Sequence, residues 1–480
     1  MRAPASSKSS ALSVFGFAFL TTLILRLAVV QNDLWLDEVW SVQLASHIES
    51  PADIVSQVHH DNNHYLNTFW LWVCGPEAGT LLQRGLSLVT GCLSVLLIGI
   101  LVRPAGLRAA GLAMLIASYS ALLVQYSTEA RGYAPALFCA LAAHWFLRRF
   151  LRDECQWSAV AFSTLCLLGT LSHLSFLQYY FAAIFWSVAV ISGRHKRLTT
   201  VVRELLKLHV IAVAGIGALY LLDVRHLAFG GGPRLQAMSV MQNAVSVFAG
   251  GPLDHPFRVV VCVLVVVGIV MGLRRLAMSA SDEWKFFACL FLLFPLLRVV
   301  IFPAAMMFER YFMIPLGFAA IPLGLAGAHL RDAGRMPRWA VAVATGCFIV
   351  GSLQHLWTLQ ELGRGAYEPT MKMIADQSPD GIRISSDHPF RNRLLIEHYA
   401  TRHLAGRPLE YVELDDWRQP PEWMICHHLP RDTDPPVNYF TESGQPRQTI
   451  SVSGVDYQLA QHTRTGELSG CEWLCYRRSN

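Results

Sequence analysis

Residues 31–50 read QNDLWLDEVWSVQLASHIES, and 51–80 continue PADIVSQVHHDNNHYLNTFWLWVCGPEAGT. This stretch follows the first long apolar run and contains no Lys or Arg. It carries Asp33, Asp37, Glu38, Glu49, Asp53, Asp61 and Glu77, with His47, His59, His60 and His64. Trp35, Trp40, Tyr65, Trp70 and Trp72 are interleaved. Rings of this kind mark the edge of a bilayer. Acids and imidazoles set among them can take up protons, hold a metal or grip a polar headgroup. The bland alternative is a solvated loop with an aromatic belt.

The flanking composition says what kind of chain holds this loop. Of 480 residues, 53% are hydrophobic and only 15% charged. The mean hydropathy is +0.37, too apolar for an ordinary soluble protein. Arg2 and Lys8 precede an apolar run from Ala11 to Val30, and no small-x-small cleavage signature follows. That predicts an uncleaved signal anchor. A membrane-spanning helix needs about 20 apolar residues. Eleven runs qualify: 11–30, 85–102, 109–124, 133–147, 157–172, 174–192, 205–222, 257–273, 286–303, 311–330 and 339–359.

The basic residues orient these spans. With the N-terminus inside, the inside connections are 103–108, 148–156, 193–204, 274–285 and 331–338, and each carries at least two Lys or Arg. The outside connections are 31–84, 125–132, 173, 223–256 and 304–310, which are poor in basic residues for their length. This is the positive-inside pattern of a multi-pass protein of the plasma (inner) membrane. The odd span count sends 360–480 outside. The expected fold is thus an α-helical polytopic membrane domain, 1–359, followed by an extracytoplasmic small α/β domain, 360–480. In the latter, GIRISSDHPF reads as a strand and turn, and RNRLLIEHYATRHL as a helix. EYVEL, EWMICHH, YQLAQHT and CEWLCYR read as further strands. No Gly-rich nucleotide loop is present. The eleven Cys form no C-x-x-C pair; Cys426, Cys471 and Cys475 are disulfide candidates in an oxidising compartment.

The residues suited to chemistry gather in the outside connections. Asp37 and Glu38 follow the first span with no cation nearby in sequence. A metal, Arg26, or protonation of one member would relieve them. A carboxylate there suits proton removal from a hydroxyl, and it equally suits a helix start, where the dipole favours acids. His60, Asp61 and His64 can bind hydroxyls or a divalent metal, with Glu38 as a fourth metal candidate. His60 and His64 would share one face of a helix, although Asn62 and Asn63 favour a turn. In YSTEARGYA, Arg131 lies beside Glu129 and Tyr133; in FERYFMIP, Arg310 follows Glu309. Guanidinium matches phosphate oxygens. Structural pairs Glu129–Arg131 and Glu309–Arg310 are the alternative. His173 lies in the short turn between two spans. Arg26 and Arg298 lie within spans near the outer face, where a cation needs a partner, a function or a route to the interface.

LWLDEVWS, HHDNNHYLNTFWLW, EARGYA, LSHLSF and ERYFMIPL, in this order, resemble the motifs of the GT-C superfamily of integral membrane glycosyltransferases. The similarity runs over roughly 11–330. It is nearest to bacterial relatives of the dolichyl-phosphate-mannose protein mannosyltransferases (family 39) and of the aminoarabinose lipid A transferases. The departure is at D-N-N-H-Y-L, where many relatives have D-H-P-P-L. The resemblance implies a polyprenyl-phosphate sugar donor and a glycan, lipid or protein acceptor, with transfer at the outer face. It implies Asp37 as general base and Glu38 in support of acceptor or metal, with Arg131 and Arg310 near the lipid phosphate. A multi-span transporter or flippase of a lipid-linked sugar is the rival from another class. Transporters usually show repeats and ionisable groups near the midplane, whereas here the charges gather at one face. An outer-face polysaccharide polymerase or ligase would use a similar surface, and a diphosphate donor bearing a glycan chain would distinguish it.

Overall fold

The computed structural model describes residues 5–479 apart from 229, 234, 280, 302–306, 333, 335–336, 405, 415–416, 418, 433–436 and 467. Among the described residues every apolar run singled out above is helical, although the run 109–124 breaks at Ser120 into Leu107–Tyr119 and Ala121–Tyr126. The eleven helices are Ala5–Val29, Gly85–Val102, Leu107–Tyr119, Tyr133–Asp153, Gln156–Ser172, Leu177–Arg194, Leu198–Leu222, Arg258–Met278, Glu283–Ile301, Met313–Asp332 and Arg338–Leu362. Among the described residues, seven helices are long and apolar enough to cross a membrane. Of the others, Leu107–Tyr119 is short, and Tyr133–Asp153 carries Arg148, Arg149, Arg152 and Asp153 at its end. The chain is a multi-pass helical membrane protein.

Burial sorts these helices. Met313–Asp332 is central, with Phe318, Ala319 and Ala320 wholly enclosed. It packs on Leu107–Tyr119 through small residues, Gly324 meeting Ala109 and Ala113. Arg258–Met278 instead leaves Val263, Leu264, Val266 and Val267 exposed. An apolar exposed face of this kind belongs against lipid.

Beyond the last of these helices lies a six-stranded mixed sheet, ordered β2-β1-β3-β6-β5-β4. Its strands are β1 (Ile382–Ser386), β2 (Leu409–Tyr411), β3 (Trp423–His428), β4 (Thr449–Val452), β5 (Val455–Thr463) and β6 (Glu472–Arg478). β1 runs parallel to β2 and β3; β3–β6, β6–β5 and β5–β4 are antiparallel. The sequence reading missed β4. Its hairpin turn is Ser453–Gly454, both at positive φ (50° and 77°), a two-residue turn that joins tightly twisted strands. Helices Tyr367–Gln377 and Arg391–His403 cover one face of the sheet.

Trp423 and Trp473 share a core with Tyr367, Met371 and Tyr399, and that core runs on into Leu34, Val39 and Val42. The sheet is therefore built against the 31–80 loop. The disulfide expectation is not met. Cys426, Cys471 and Cys475 are free and buried. Cys475 pairs across the strands with Ile425, so the alternation of side chains turns Cys426 and Cys475 to opposite faces.

Candidate active site

Asp37 and Glu38 occupy the first turn of the helix Leu36–Ser46. Successive residues on a helix point about 100° apart, and the two acids meet different surroundings. Glu38 is fully buried. Its Oε1 accepts from Arg84 Nε at 2.8 Å and from the Ala130 N–H at 2.6 Å. Its Oε2 accepts from Arg84 Nη2 at 2.6 Å and from the Trp35 N–H at 3.2 Å. Burial alone would raise this carboxyl. The Arg84 guanidinium outweighs it and holds Glu38 below the usual carboxylate range. Arg84 also donates to the carbonyls of Val30 (2.6 Å), Asn32 (2.7 Å) and Asp33 (2.9 Å). The cation that relieves Glu38 is thus Arg84, not Arg26. Every Glu38 oxygen is occupied, so its role here is to lock the loop.

Asp37 remains partly open. Its Oδ2 forms ion pairs with Arg131 Nη1 at 3.1 Å and with Arg310 Nη1 at 3.2 Å. Oδ1 has no protein donor among the described residues. The Arg131 and Arg310 side chains are 4% and 13% exposed, against 15% for Asp37. Two largely buried cations thus share one carboxylate at contact distance, and the next acid, Asp61, acts on Arg131 from further off. Nε of each arginine is buried without a hydrogen-bond partner among the described residues. Arg131 is further held by the Asn62 amide oxygen. Asn62 Nδ2 in turn donates to the Asp37 carbonyl (3.0 Å) and Ser41 Oγ (3.1 Å). Arg310 lies over Phe308, its guanidinium carbon 4.3 Å from the ring centroid, with Trp35 at 5.4 Å.

A wall of rings lies beside this pair. His64 and His173 are 4.6 Å apart by centroid, and Tyr133 is 4.3 Å from His173. His64 Nδ1 accepts the Gly132 N–H at 3.0 Å. A Cβ on Gly132 would stand 1.7 Å from the Ser172 carbonyl oxygen, so only glycine permits this approach. Burial, followed by the charge of Arg131, holds the His64 imidazole well below its ordinary value. His173 Nδ1 takes the Ser175 N–H at 2.9 Å.

His60 and Asp61 pair with each other at 2.8 Å, and Trp40 lies 4.1 Å from the His60 ring. The Asp61 carboxylate accepts the Gly230 N–H at 3.2 Å. The shared helical face expected for His60 and His64 does not form. His60 bridges to Ala228 in a loop, while His64 is the residue that starts the helix Tyr65–Cys74. Among the described residues no three His, Cys, Asp or Glu side chains gather to hold a metal ion. Glu38, His60, Asp61 and His64 are accordingly dispersed.

The pairs between sequence neighbours do not form either. Glu129 accepts from Arg364 Nε at 3.2 Å and Ser469 Oγ at 2.7 Å. Glu309 pairs with Arg431. Both contacts pin the C-terminal sheet region to the helical bundle and release Arg131 and Arg310 for Asp37. Arg26 is buried, donates to the Thr22 carbonyl at 3.4 Å, and meets no acid among the described residues. Arg298 lies in Glu283–Ile301, where its side chain falls outside the described residues.

Asp37 and Arg310 open into a cavity of about 330 Å³. Trp35 and Phe308 line it from the helical part; Arg391, Arg431, Gly470 and Glu472 line it from the C-terminal part. Sequence reasoning missed Arg84, Asn62, Arg364 and Arg391. Only Arg84 left a signal, as the one basic residue in 31–84.

No protein-family model matches the chain, and no curated protein matches it. Solved structures do. The chain is similar to ArnT from Cupriavidus metallidurans in the apo state, with a TM-score of 0.57 and 11% identity over 88% of this chain and 93% of that one. ArnT bound to undecaprenyl phosphate aligns with a TM-score of 0.54 and 11% identity over 98% of both chains. At that identity the likeness is one of fold: the chain shares the ArnT architecture, here a polytopic helical bundle with a small C-terminal mixed sheet at one end.

Proposed function

We propose that the protein is a glycosyltransferase that moves a sugar from a polyprenyl-phosphate-linked donor to a hydroxyl acceptor at the outer face of the membrane. The observation that carries this reading is the pair of buried guanidiniums on one oxygen of Asp37. At contact distance the cations outnumber the carboxylate by one, beside a ligand-sized cavity. A lipid phosphate supplies the missing anion. The undecaprenyl phosphate bound by the ArnT fold is a ligand of that chemistry.

The reaction follows from the placement. Arg131 and Arg310 bind the phosphate oxygens and stabilise the charge that builds on them as the anomeric C–O bond breaks. The acceptor hydroxyl gives its proton to Asp37 through Oδ1, the oxygen no arginine uses, and its oxygen attacks the anomeric carbon. One displacement inverts that carbon and releases the lipid phosphate. The phosphate is already a good leaving group, so no general acid and no covalent intermediate are needed. His64, His173 and Tyr133 form the ring wall behind the arginines, and His60 and Asp61 hold the neighbouring loop.

Purified protein given radiolabelled polyprenyl-phosphate sugars and a membrane extract should transfer label. Arg131→Ala and Arg310→Ala should each weaken undecaprenyl-phosphate binding, since a charge-assisted contact contributes about 1.5–3 kcal/mol. Lys variants should recover only part, because the fork geometry is lost. Transfer from no donor, or unchanged affinity in both Ala variants, would overturn the reading.

A further inference from the structure

The cavity that holds Asp37 and Arg310 has a second wall, made by the C-terminal sheet region. Asp432 in that wall is engaged elsewhere, and the partners of its other charges can be named. Arg310 is engaged by Asp37. Arg431 is engaged by Glu309. Glu472 is held by His428 at 2.9 Å and by His462 at 3.4 Å. Arg391 lines the same space, and its guanidinium forms no hydrogen bond or ion pair among the described residues.

Nothing in the folding of this segment asks for a cation at that place. Arg391 is the first residue of the helix Arg391–His403. The positive end of the helix dipole disfavours a basic side chain there. Its two neighbours are both anchored. The Phe390 ring meets Trp40 of the Leu36–Ser46 helix edge-on at 4.7 Å. The Asn392 amide donates to Asp387 at 2.7 Å and accepts from Trp473 Nε1 at 3.0 Å. The fold therefore fixes the backbone of Arg391 against the helix that bears Asp37 and leaves the guanidinium uncommitted.

We propose that Arg391 is a specificity residue for the acceptor. It binds a negative charge, carboxylate or phosphate, carried by the acceptor close to the hydroxyl that Asp37 deprotonates. This rests on the glycosyl-transfer reading above. The two walls then divide the work: Arg131 and Arg310 take the donor phosphate, and Arg391 takes the anionic acceptor.

The test uses the full-length protein loaded with undecaprenyl phosphate. It is titrated with a glucuronic-acid-terminated disaccharide, the same disaccharide bearing a phosphate, and the neutral glucose-terminated form. The wild type should bind at least one acidic form about tenfold or more tightly over the neutral one, and which acid it prefers tells carboxylate from phosphate. Arg391→Gln should abolish that preference while neutral-sugar and undecaprenyl-phosphate affinities stay unchanged; Arg391→Lys should keep part of it. A wild type that binds the lipid but shows no charge preference overturns this proposal alone. Lost lipid affinity in Arg391→Gln also overturns it, because the residue would then serve the donor. A wild type that binds no undecaprenyl phosphate overturns both readings.

Discussion

The two ends of the helical bundle use charge differently. At the sheet-bearing end, Arg84–Glu38, Arg131–Asp37, Arg310–Asp37 and Arg364–Glu129 join residues far apart in sequence, and their side chains are buried or nearly so. At the opposite end several pairs are local, Asp282 with Lys285, Glu204 with Lys207 and Asp153 with Arg152, and the long-range pair Arg108–Asp332 is exposed. Glu283 forms a long-range pair that is buried there, bridging to His144 at 2.8 Å. Exposed local pairs contribute little, whereas a buried pair that loses one member leaves a charge that nothing compensates. One end is thus charged for orientation and solubility. The other is charged to specify a single arrangement of loops, and it leaves Asp37 and Arg310 facing a cavity, with Arg131 on the same carboxylate.

This contrast can be broken in graded ways. The largest effect is all-or-none. If the sheet-bearing end faces outside, as the basic connections imply, a reporter active only in the cytoplasm is silent when fused after the last residue. A bright fusion would reverse the assignment of the two ends. Next comes Glu38→Gln, which strands the Arg84 charge and should cost about 3–5 kcal/mol of stability, read as a lower thermal midpoint. The double variant Glu38→Gln with Arg84→Met should recover much of that loss, because both charges are gone. If Glu38→Gln leaves stability intact, the clamp is not what orders the loop. Smallest is Asp282→Asn at the opposite end, where an exposed pair three residues apart should matter by only about 0.2–1 kcal/mol. A loss there as large as that in Glu38→Gln would erase the distinction between the ends.

The helices were legible because hydropathy is a local signal: each predicted span is helical, but the break at Ser120 that splits 109–124 into Leu107–Tyr119 and Ala121–Tyr126 left no mark in it. The convergence of the five outside connections was also legible, because one charge rule placed them on one face. Contacts now join them: hydrogen bonds from Ala130 to Glu38, from Gly132 to His64 and from Gly230 to Asp61, an ion pair between Arg310 and Asp37, and a ring contact between His173 and His64. What the sequence hides is which acid meets which base. Arg84 finds Glu38 across 46 residues, and Arg364 finds Glu129 across 235. No periodicity reports a contact of that kind. For the same reason the adjacent Glu129 and Arg131 look like a pair and are not one. Asp37 and Glu38, equivalent as letters, part because one turn of helix sends them to different neighbours. The hidden strand β4 failed for a different reason: its residues alternate between exposed and half-buried positions, so they carry little apolar signal.

The most direct test of the central claim is Asp37→Asn, measured for turnover and for undecaprenyl-phosphate binding in the same preparation. The amide keeps the shape of the carboxylate and cannot take up a proton at neutral pH. Turnover should fall by about 10²–10⁴. Lipid-phosphate affinity should be kept or raised, since the carboxylate no longer competes for Arg131 and Arg310. Near-normal turnover in Asp37→Asn would contradict the assignment of Asp37 as the base and, with it, the proposed mechanism.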